Sequence, residues 1–219
     1  MLCQSSSFHF GKVTQNDLML KRYPKDTTTE AAVLYEAGRS YFEDNANYQF
    51  DLYFECKTRI KVFSKAGLKW AQMSIPFTIE DNISDISGYT YNLEGGNIQT
   101  TPLDPATAFT EKIDRYWSNL KIAMPNVKEG SVFEISYKIK SSYLFNLRGW
   151  EFQREIPVQY SEYTTQIVPF YQYAKVLQGT KNFSNFIIYE DPEEKKINDI
   201  AYHDIISKFI MKDVPAFKN

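Results

Sequence analysis

The stretch that decides the fold is "YQFDLYFECKTRIKVFS", which runs from Tyr48 to Ser64. Its even positions carry Tyr, Phe, Leu, Phe, Cys, Thr, Ile and Val, and its odd positions are mostly polar or charged. Alternation with a period of two, held over about 15 residues, indicates a long β-strand with one buried face. Cys56 falls on that face, where a free cysteine behaves as a small hydrophobic residue. We therefore interpret Cys56 as part of the core.

The composition also fits a folded β domain. The chain has 219 residues, of which 43% are hydrophobic and 24% charged, so it can bury a sizeable core. It contains 16 Tyr, 16 Phe and 3 Trp, residue types that suit a pleated, half-buried surface. The net charge is −2 and no basic patch stands out, which argues against nucleic-acid binding. No apolar run approaches the roughly 20 residues of a transmembrane helix.

Further segments alternate in the same way and are separated by turn signals. Residues 31–44 fit either a hairpin around Gly38 or one bulged strand. A hairpin is predicted to turn at Gly95-Gly96, and Pro76 indicates an edge strand or a bulge. The remaining expectations are a β pair joined by the loop 125–130, two or three strands in 151–177, and a charged loop at 190–199.

These elements predict an all-β protein with minor helix, arranged as an antiparallel β-sandwich of roughly nine to eleven strands. The sandwich is assigned to residues 30–219. Residues 1–29 are assigned to an N-terminal tail and a short helix, which Thr14 caps and Pro24 ends.

Catalytic and metal chemistry find little support in the sequence. Cys56, His203 and Asp204 can be drawn as a nucleophile with its base, but an inward-facing cysteine in mid-strand lacks the cationic setting that activates a thiol. Two cysteines and two histidines are too few for a structural zinc site. The segment "DNISDISG", residues 81–88, departs from the calcium-loop pattern and is predicted to be a turn. We predict no catalytic residue, no metal and no cofactor.

The aromatic excess has two interpretations. Exposed Trp70, Trp117 and Trp150 could stack on sugars, or the three side chains could fill the core. Loops carry function on rigid scaffolds, and aromatic residues lie there beside polar ones. The candidate binding residues are therefore Tyr116, Trp117, Asn126, Arg148 and Trp150.

Five blocks carry a family resemblance, in order and with consistent spacing: "RIKVFSKAGLKWAQMSIPF" (59–77), "DISGYTYNLEGGNI" (85–98), "YWSNLKIAMPNVKEGSVFEISYKI" (116–139), "FQREIPVQYSEY" (152–163) and "KDVPAF" (212–217). Together they resemble an uncharacterised bacterial domain that lies N-terminal to a transglutaminase-like domain in exported proteins. The resemblance runs from about residue 31 to 217 and brings no catalytic residues with it.

The resemblance implies a non-catalytic accessory module of a longer protein. Its partner would be a C-terminal transglutaminase-like domain of the same chain, together with a polysaccharide or a protein. The location would be periplasmic or outer-membrane associated, with residues 1–3 as the stub of an export signal and Cys3 as a lipid-bearing residue. A cytoplasmic start with a ragged tail is the other interpretation of this terminus. The alternative function is a carbohydrate-active hydrolase that uses paired carboxylates.

Overall fold

The computed structural model describes residues 8–45, 47, 49–179 and 182–217. This part of the chain holds one α-helix, α1 (Gln15–Met19), and two 3₁₀ helices, Lys65–Ala71 and Pro105–Thr107. It also holds thirteen strands, so the protein is mainly β: β1 (Ala31–Asp44), β2 (Phe50–Val62), β3 (Gln72–Thr78), β4 (Asp81–Glu94), β5 (Asn97–Pro102), β6 (Phe109–Lys112), β7 (Trp117–Ala123), β8 (Val132–Ser141), β9 (Val158–Ile167), β10 (Asn185–Glu190), β11 (Lys195–Ile197), β12 (Ile200–Tyr202) and β13 (Ile205–Val214).

Eight strands form one large sheet in the order β10-β13-β9-β1-β2-β8-β4-β5. A small sheet has the order β3-β7-β6, and β11 pairs with β12. The prediction of an antiparallel sandwich of roughly nine to eleven strands is confirmed in its mainly β character alone, because the described residues hold thirteen strands and β1 and β9 pair in parallel. A parallel neighbour requires a long crossover connection. Residues 142–157 supply it: they leave the end of β8 and pass two strands to reach the start of β9.

The main core lies between the two sheets. Alternate residues of β2 and β8 project into it, among them Phe54, Cys56 and Ile135. The small sheet contributes Ile75 from β3 and Ile122 from β7. We call the face of the large sheet that bears Phe54 and Cys56 the core face. The prediction that Cys56 belongs to the core is confirmed, since Cys56 is 6% exposed.

Several strand assignments are confirmed, and others are wrong in partner or extent. Residues 31–44 form one strand whose register shifts between Val33 and Tyr35, so the bulged-strand alternative is right and the hairpin is wrong. The hairpin at Gly95-Gly96 is confirmed as β4 and β5. Pro76 lies on β3, an edge strand of the small sheet, as predicted.

Four expectations differ from the structure. β7 and β8 do not pair: β7 joins the small sheet and β8 the large one. Residues 81–88 belong to β4 and not to a turn, and a bulge there places Asp85 at a φ of 53°. Residues 151–177 hold a single strand, β9. The charged segment 190–199 includes β11.

The N-terminal segment packs on the face of the large sheet opposite the core face. Thr14 caps α1 in a capping box with Asp17, which confirms the predicted N-cap, but α1 ends at Met19, five residues before Pro24. Leu18 packs against residues of β4 and β8, and the buried Lys61 Nζ donates to the main-chain oxygen of Leu18 at 2.7 Å. Arg59 forms a buried ion pair with Glu134 and also donates to the N-terminal segment.

In the described part of the chain, no helix has the length and apolar character needed to cross a membrane. Cys3, the residue considered for lipidation, lies outside the described residues.

Candidate functional site

The principal candidate site is a groove on the core face, beyond the area that the small sheet covers. Its floor comes from β9 and β13, and its walls are the crossover segment 145–152 and the segment 172–177. The cavity volume is about 530 Å³, in the range of small-ligand pockets. We call it the aromatic groove, after the rings that line it: Phe145, Trp150, Phe152, Tyr163, Tyr173, Phe183 and Phe209.

Trp150 sits in the groove because the sheet beneath it carries a glycine. A Cβ atom added to Gly38 of β1 would lie less than 3.0 Å from three carbons of the Trp150 ring. The indole lies parallel to the ring of Tyr163, with the centroids 5.5 Å apart. Its Nε1 donates to the Ser161 hydroxyl at 3.0 Å. Gly38 therefore leaves the space that lets the crossover pack onto the sheet.

The Ser161 hydroxyl connects Trp150 to a buried charge. It donates to Glu36 Oε1 at 2.6 Å, and Arg154 of the crossover donates to Glu36 Oε2 at 3.0 Å. Burial raises the pKa of the Glu36 carboxyl, and the Arg154 guanidinium opposes that rise. A buried carboxylate with all its hydrogen bonds made holds its neighbours in one arrangement. This network anchors one wall of the groove.

A second pair of contacts fixes Arg148 at the other end of that wall. The Tyr163 hydroxyl donates to the main-chain oxygen of Arg148 at 2.9 Å, so the Ser40 hydroxyl 2.8 Å away donates to Tyr163. The guanidinium of Arg148 donates to the main-chain oxygen of Pro76 and to Asp81, each at 2.9 Å. Arg148 thus ties the crossover to β3 and β4.

The far side of the groove is a chain of phenylalanines. Phe152 contacts Phe183 edge-on at 5.4 Å between centroids, and Phe183 lies 5.1 Å from Phe209. Phe209 also stacks on Phe186 of β10 at 4.9 Å. The aromatic lining therefore continues from the crossover to the edge strand of the large sheet.

The groove carries positive charge and one free hydroxyl. Lys175 donates to Ser207 at 2.7 Å, and burial lowers the pKa of its amine. The described lining residues of the groove include no Asp or Glu, and because Arg148 is paired with Asp81, Lys175 supplies the positive charge. Thr165 of β9 lies on the floor, is 3% exposed, and its Oγ1 has no hydrogen-bond partner within the protein. Buried hydroxyls nearly always have a partner, so this unpaired hydroxyl on the floor of the groove is a candidate contact for a ligand or a water.

The other predicted residues lie apart from the groove. Tyr116 and Trp117 are 49% and 47% exposed, and the carboxylate of Asp114 accepts hydrogen bonds from both of their amides. Asn126 adopts a φ of 52° in the turn before β8, and its main-chain oxygen accepts from Asn92. Among the predicted binding residues, the structure brings together Arg148 and Trp150 alone.

The sequence did not reveal the other lining residues. Tyr163, Thr165 and Phe209 are alternate residues of ordinary strands, and Lys175 and Phe183 lie in a segment without a motif. The alternation in β9 and β13 shows which side chains share a face of the large sheet. It does not show that this face is open, because that depends on where the small sheet ends.

The structure does not assemble Cys56 and His203 into a nucleophile and its base. Burial raises the pKa of the Cys56 thiol, whose sulfur lies 3.7 Å from the Thr58 hydroxyl. His203 is too far from Cys56 to act as its base. Phe209 of β13 lies level with Cys56 but three strand spacings away, about 14 Å, and His203 precedes Phe209 by six residues. The His203 ring instead lies 2.8 Å from the main-chain oxygen of Asp191.

Two buried glutamates, Glu36 and Glu134, have a pKa raised by burial, but each is paired with an arginine. They project to opposite faces of the large sheet. A second cavity of about 420 Å³ includes one carboxylate, Asp51, which Lys140 pairs at 2.7 Å. Within the described residues, no cluster of three or more His, Cys, Asp or Glu side chains could hold a metal.

The fold and the groove thus define a mainly β domain with a ligand-sized aromatic site on its larger sheet. Residues 52–182, more than half of the chain, match the family described as "Domain of Unknown Function with solved-structure structure (DUF3857)", and the chain belongs to this family. The family description assigns no function. No curated protein sequence matches the chain.

The solved structures that are similar to this protein include the following two. One is a protein from Parabacteroides distasonis ATCC 8503, provisionally named a protease, with a TM-score of 0.58 and 10% identity. The match covers 87% of this chain but 37% of that one, so the chain spans little more than a third of its relative. The other, from Legionella pneumophila, is provisionally named a nutrient-binding protein; it has a TM-score of 0.36 and 10% identity over 83% of this chain and 67% of that one. The first likeness shows the fold.

Proposed function

We propose that this domain is a non-catalytic binding module of a longer exported protein, periplasmic or outer-membrane associated, and that its aromatic groove holds a polypeptide segment of a following transglutaminase-like domain. The sequence resemblance supports the neighbour and the export. The observation that carries the binding site is the unpartnered hydroxyl of Thr165 on the floor of an aromatic groove.

The chemistry of the groove favours a polypeptide as the occupant. Main-chain carbonyls can accept from Thr165, while apolar side chains pack on the phenylalanines. Lys175, with no acidic residue among the described lining, suits carbonyl and carboxylate groups, whereas the charge of Arg148 is already paired with Asp81. Trp150 offers less to a sugar, because its N–H is already bonded to Ser161 and its ring packs on β1.

The alternative, a carbohydrate-active hydrolase, requires two facing carboxylates. The described residues that line the two cavities include one carboxylate, Asp51, and it is paired. A non-catalytic role therefore fits the site better.

The test begins with the gene beyond the codon for Asn219, which we expect to encode a transglutaminase-like domain. That domain is then titrated into this one by calorimetry, with a glycan array as the parallel arm for polysaccharides. Thr165→Val keeps the shape of the side chain and removes the free hydroxyl, so we expect it to weaken binding at least fivefold and to leave stability unchanged or higher. Trp117→Ala, outside the groove, is the matched control and should bind as the wild type does.

If this domain bound a glycan saturably and did not bind the neighbouring domain, the occupant of the groove would be a sugar and the polypeptide proposal would be wrong. Equal binding by Thr165→Val and the wild type would remove the groove from the proposal.

A further inference from the structure

We infer that β10 is a self-pairing edge, and that two copies of this chain join through it into one continuous sheet. β10 is the terminal strand of the large sheet: it pairs with β13 on one side and with no described strand on the other. Its outer side therefore presents main-chain N–H and C=O groups that only another extended backbone can pair in series. This inference does not depend on what fills the aromatic groove.

The side chains of β10 lack the features that protect an edge. Four consecutive apolar residues, Phe186 to Tyr189, are each between 41% and 57% exposed and project alternately to both faces. The strand contains no proline, lysine or bulge. The opposite edge of the same sheet, β5, has the sequence NIQTTP, with polar residues and Pro102. Edge strands of monomers are usually blunted as β5 is, so the contrast marks β10 as a pairing surface.

Symmetry restricts how two copies of β10 can meet. A two-fold axis perpendicular to the sheet makes the strands antiparallel and keeps each face on its own side, so residues directly opposite must share a face. With the axis at Ile187, that residue meets its own copy, and Phe186 meets Ile188 on both sides of the axis. With the axis at Ile188, Phe186 would instead face Glu190. The first register pairs Phe186, Ile187 and Ile188 with one another, leaves Tyr189 opposite Asn185, and places no like charges opposite each other.

An antiparallel second copy therefore fits β10 better than a parallel one, which would align Glu190 with Glu190. The resulting sheet would have sixteen strands. Phe186 and Phe209 are on the same face, so both aromatic grooves would open on one side of the dimer.

Sedimentation velocity on the whole chain, over a hundredfold range of concentration, tests this inference. We expect a concentration-dependent species of twice the 25.6 kDa chain mass. Ile187→Lys places two lysines opposite each other at the axis and should raise the dimer dissociation constant at least tenfold. Thr100→Lys adds the same charge to the β5 edge and should leave dimerisation unchanged.

A charge swap gives the decisive arm. Ile187→Lys and Ile187→Glu should each be monomeric, and their mixture should restore the dimer because lysine then faces glutamate. A wild-type chain that stays monomeric at the highest concentration would overturn the inference. A dimer that forms equally well with Ile187→Lys would overturn it too. Neither result bears on ligand binding in the groove, which the calorimetric titration measures separately.

Discussion

Replacing Gly38 with alanine tests the packing that builds the groove. The new Cβ would lie less than 3.0 Å from three carbons of the Trp150 ring, whereas non-bonded carbons prefer about 3.5–4.0 Å. The indole must therefore move by roughly 1 Å, and its hydrogen bond to Ser161 weakens or breaks. Overpacking costs about 1–3 kcal/mol and a lost hydrogen bond about 1 kcal/mol, so we expect Gly38→Ala to lower the free energy of unfolding by about 2–4 kcal/mol.

Urea denaturation followed by circular dichroism measures this loss, and a double-mutant cycle assigns it to the contact. In a Trp150→Ala background the clash is absent, so Gly38→Ala should cost less than about 1 kcal/mol there. Gly149→Ala is the control beside Trp150: its Cβ would meet nothing within 4 Å, and we expect a change within about 0.5 kcal/mol. The reasoning is refuted if Gly38→Ala costs the same with and without Trp150.

Burial lowers the pKa of Lys61 to about 8. Between pH 8 and 10.5 the unfolded chain therefore binds more protons than the folded chain, and Lys61 should make the free energy of unfolding rise with pH by at most about 1.4 kcal/mol per pH unit. That slope should be absent from Lys61→Met when the two chains are unfolded in urea side by side, and a slope shared by both would contradict the assignment. In a Cys3→Ser background, Cys56 should react with a disulfide reagent at least a hundredfold more slowly in the folded protein than in urea, because burial keeps its thiol neutral; fast labelling of the folded chain would show an accessible thiol. Trp150→Ala should cost about 2–4 kcal/mol and Trp117→Ala less than about 1 kcal/mol, since the first packs on the sheet and the second is 47% exposed; thermal melts of both that shift equally would contradict this.

The period-two alternation sufficed for the strands that carry the core. It correctly assigned the face of β2 that bears Cys56 to the core, but the prediction of a half-buried strand is wrong at Arg59 and Lys61, which the N-terminal segment buries on the opposite face. Local residue preferences also placed Thr14 at a helix N-terminus and Pro76 on an edge strand, since both are effects on the nearby backbone.

The alternation does not reveal which distant strands pair with each other. β7 and β8 are joined by a short loop, yet they belong to different sheets, and nothing local distinguishes this from a hairpin. The parallel pairing of β1 with β9 depends on a crossover that packs on Gly38, whose small size was interpreted as a turn signal. Gly38 instead accommodates a tryptophan 112 positions later in the chain, a contact that requires the fold to be known.

The candidate site was predicted in part for the same reason. Arg148 and Trp150 stood out as aromatic and polar residues in a loop, and both line the groove. Thr165 did not, because an unpartnered hydroxyl is recognisable only when its surroundings are known.

Hydrogen exchange measured by mass spectrometry tests the central claim most directly. The isolated domain is compared with the longer gene product, in which the groove is expected to be filled. We expect slower amide exchange in segments 145–152 and 172–177, which form the two walls, with the turn around Tyr116 unchanged. Unchanged exchange in both walls, with protection elsewhere on the domain, would show that the groove is not where the partner binds.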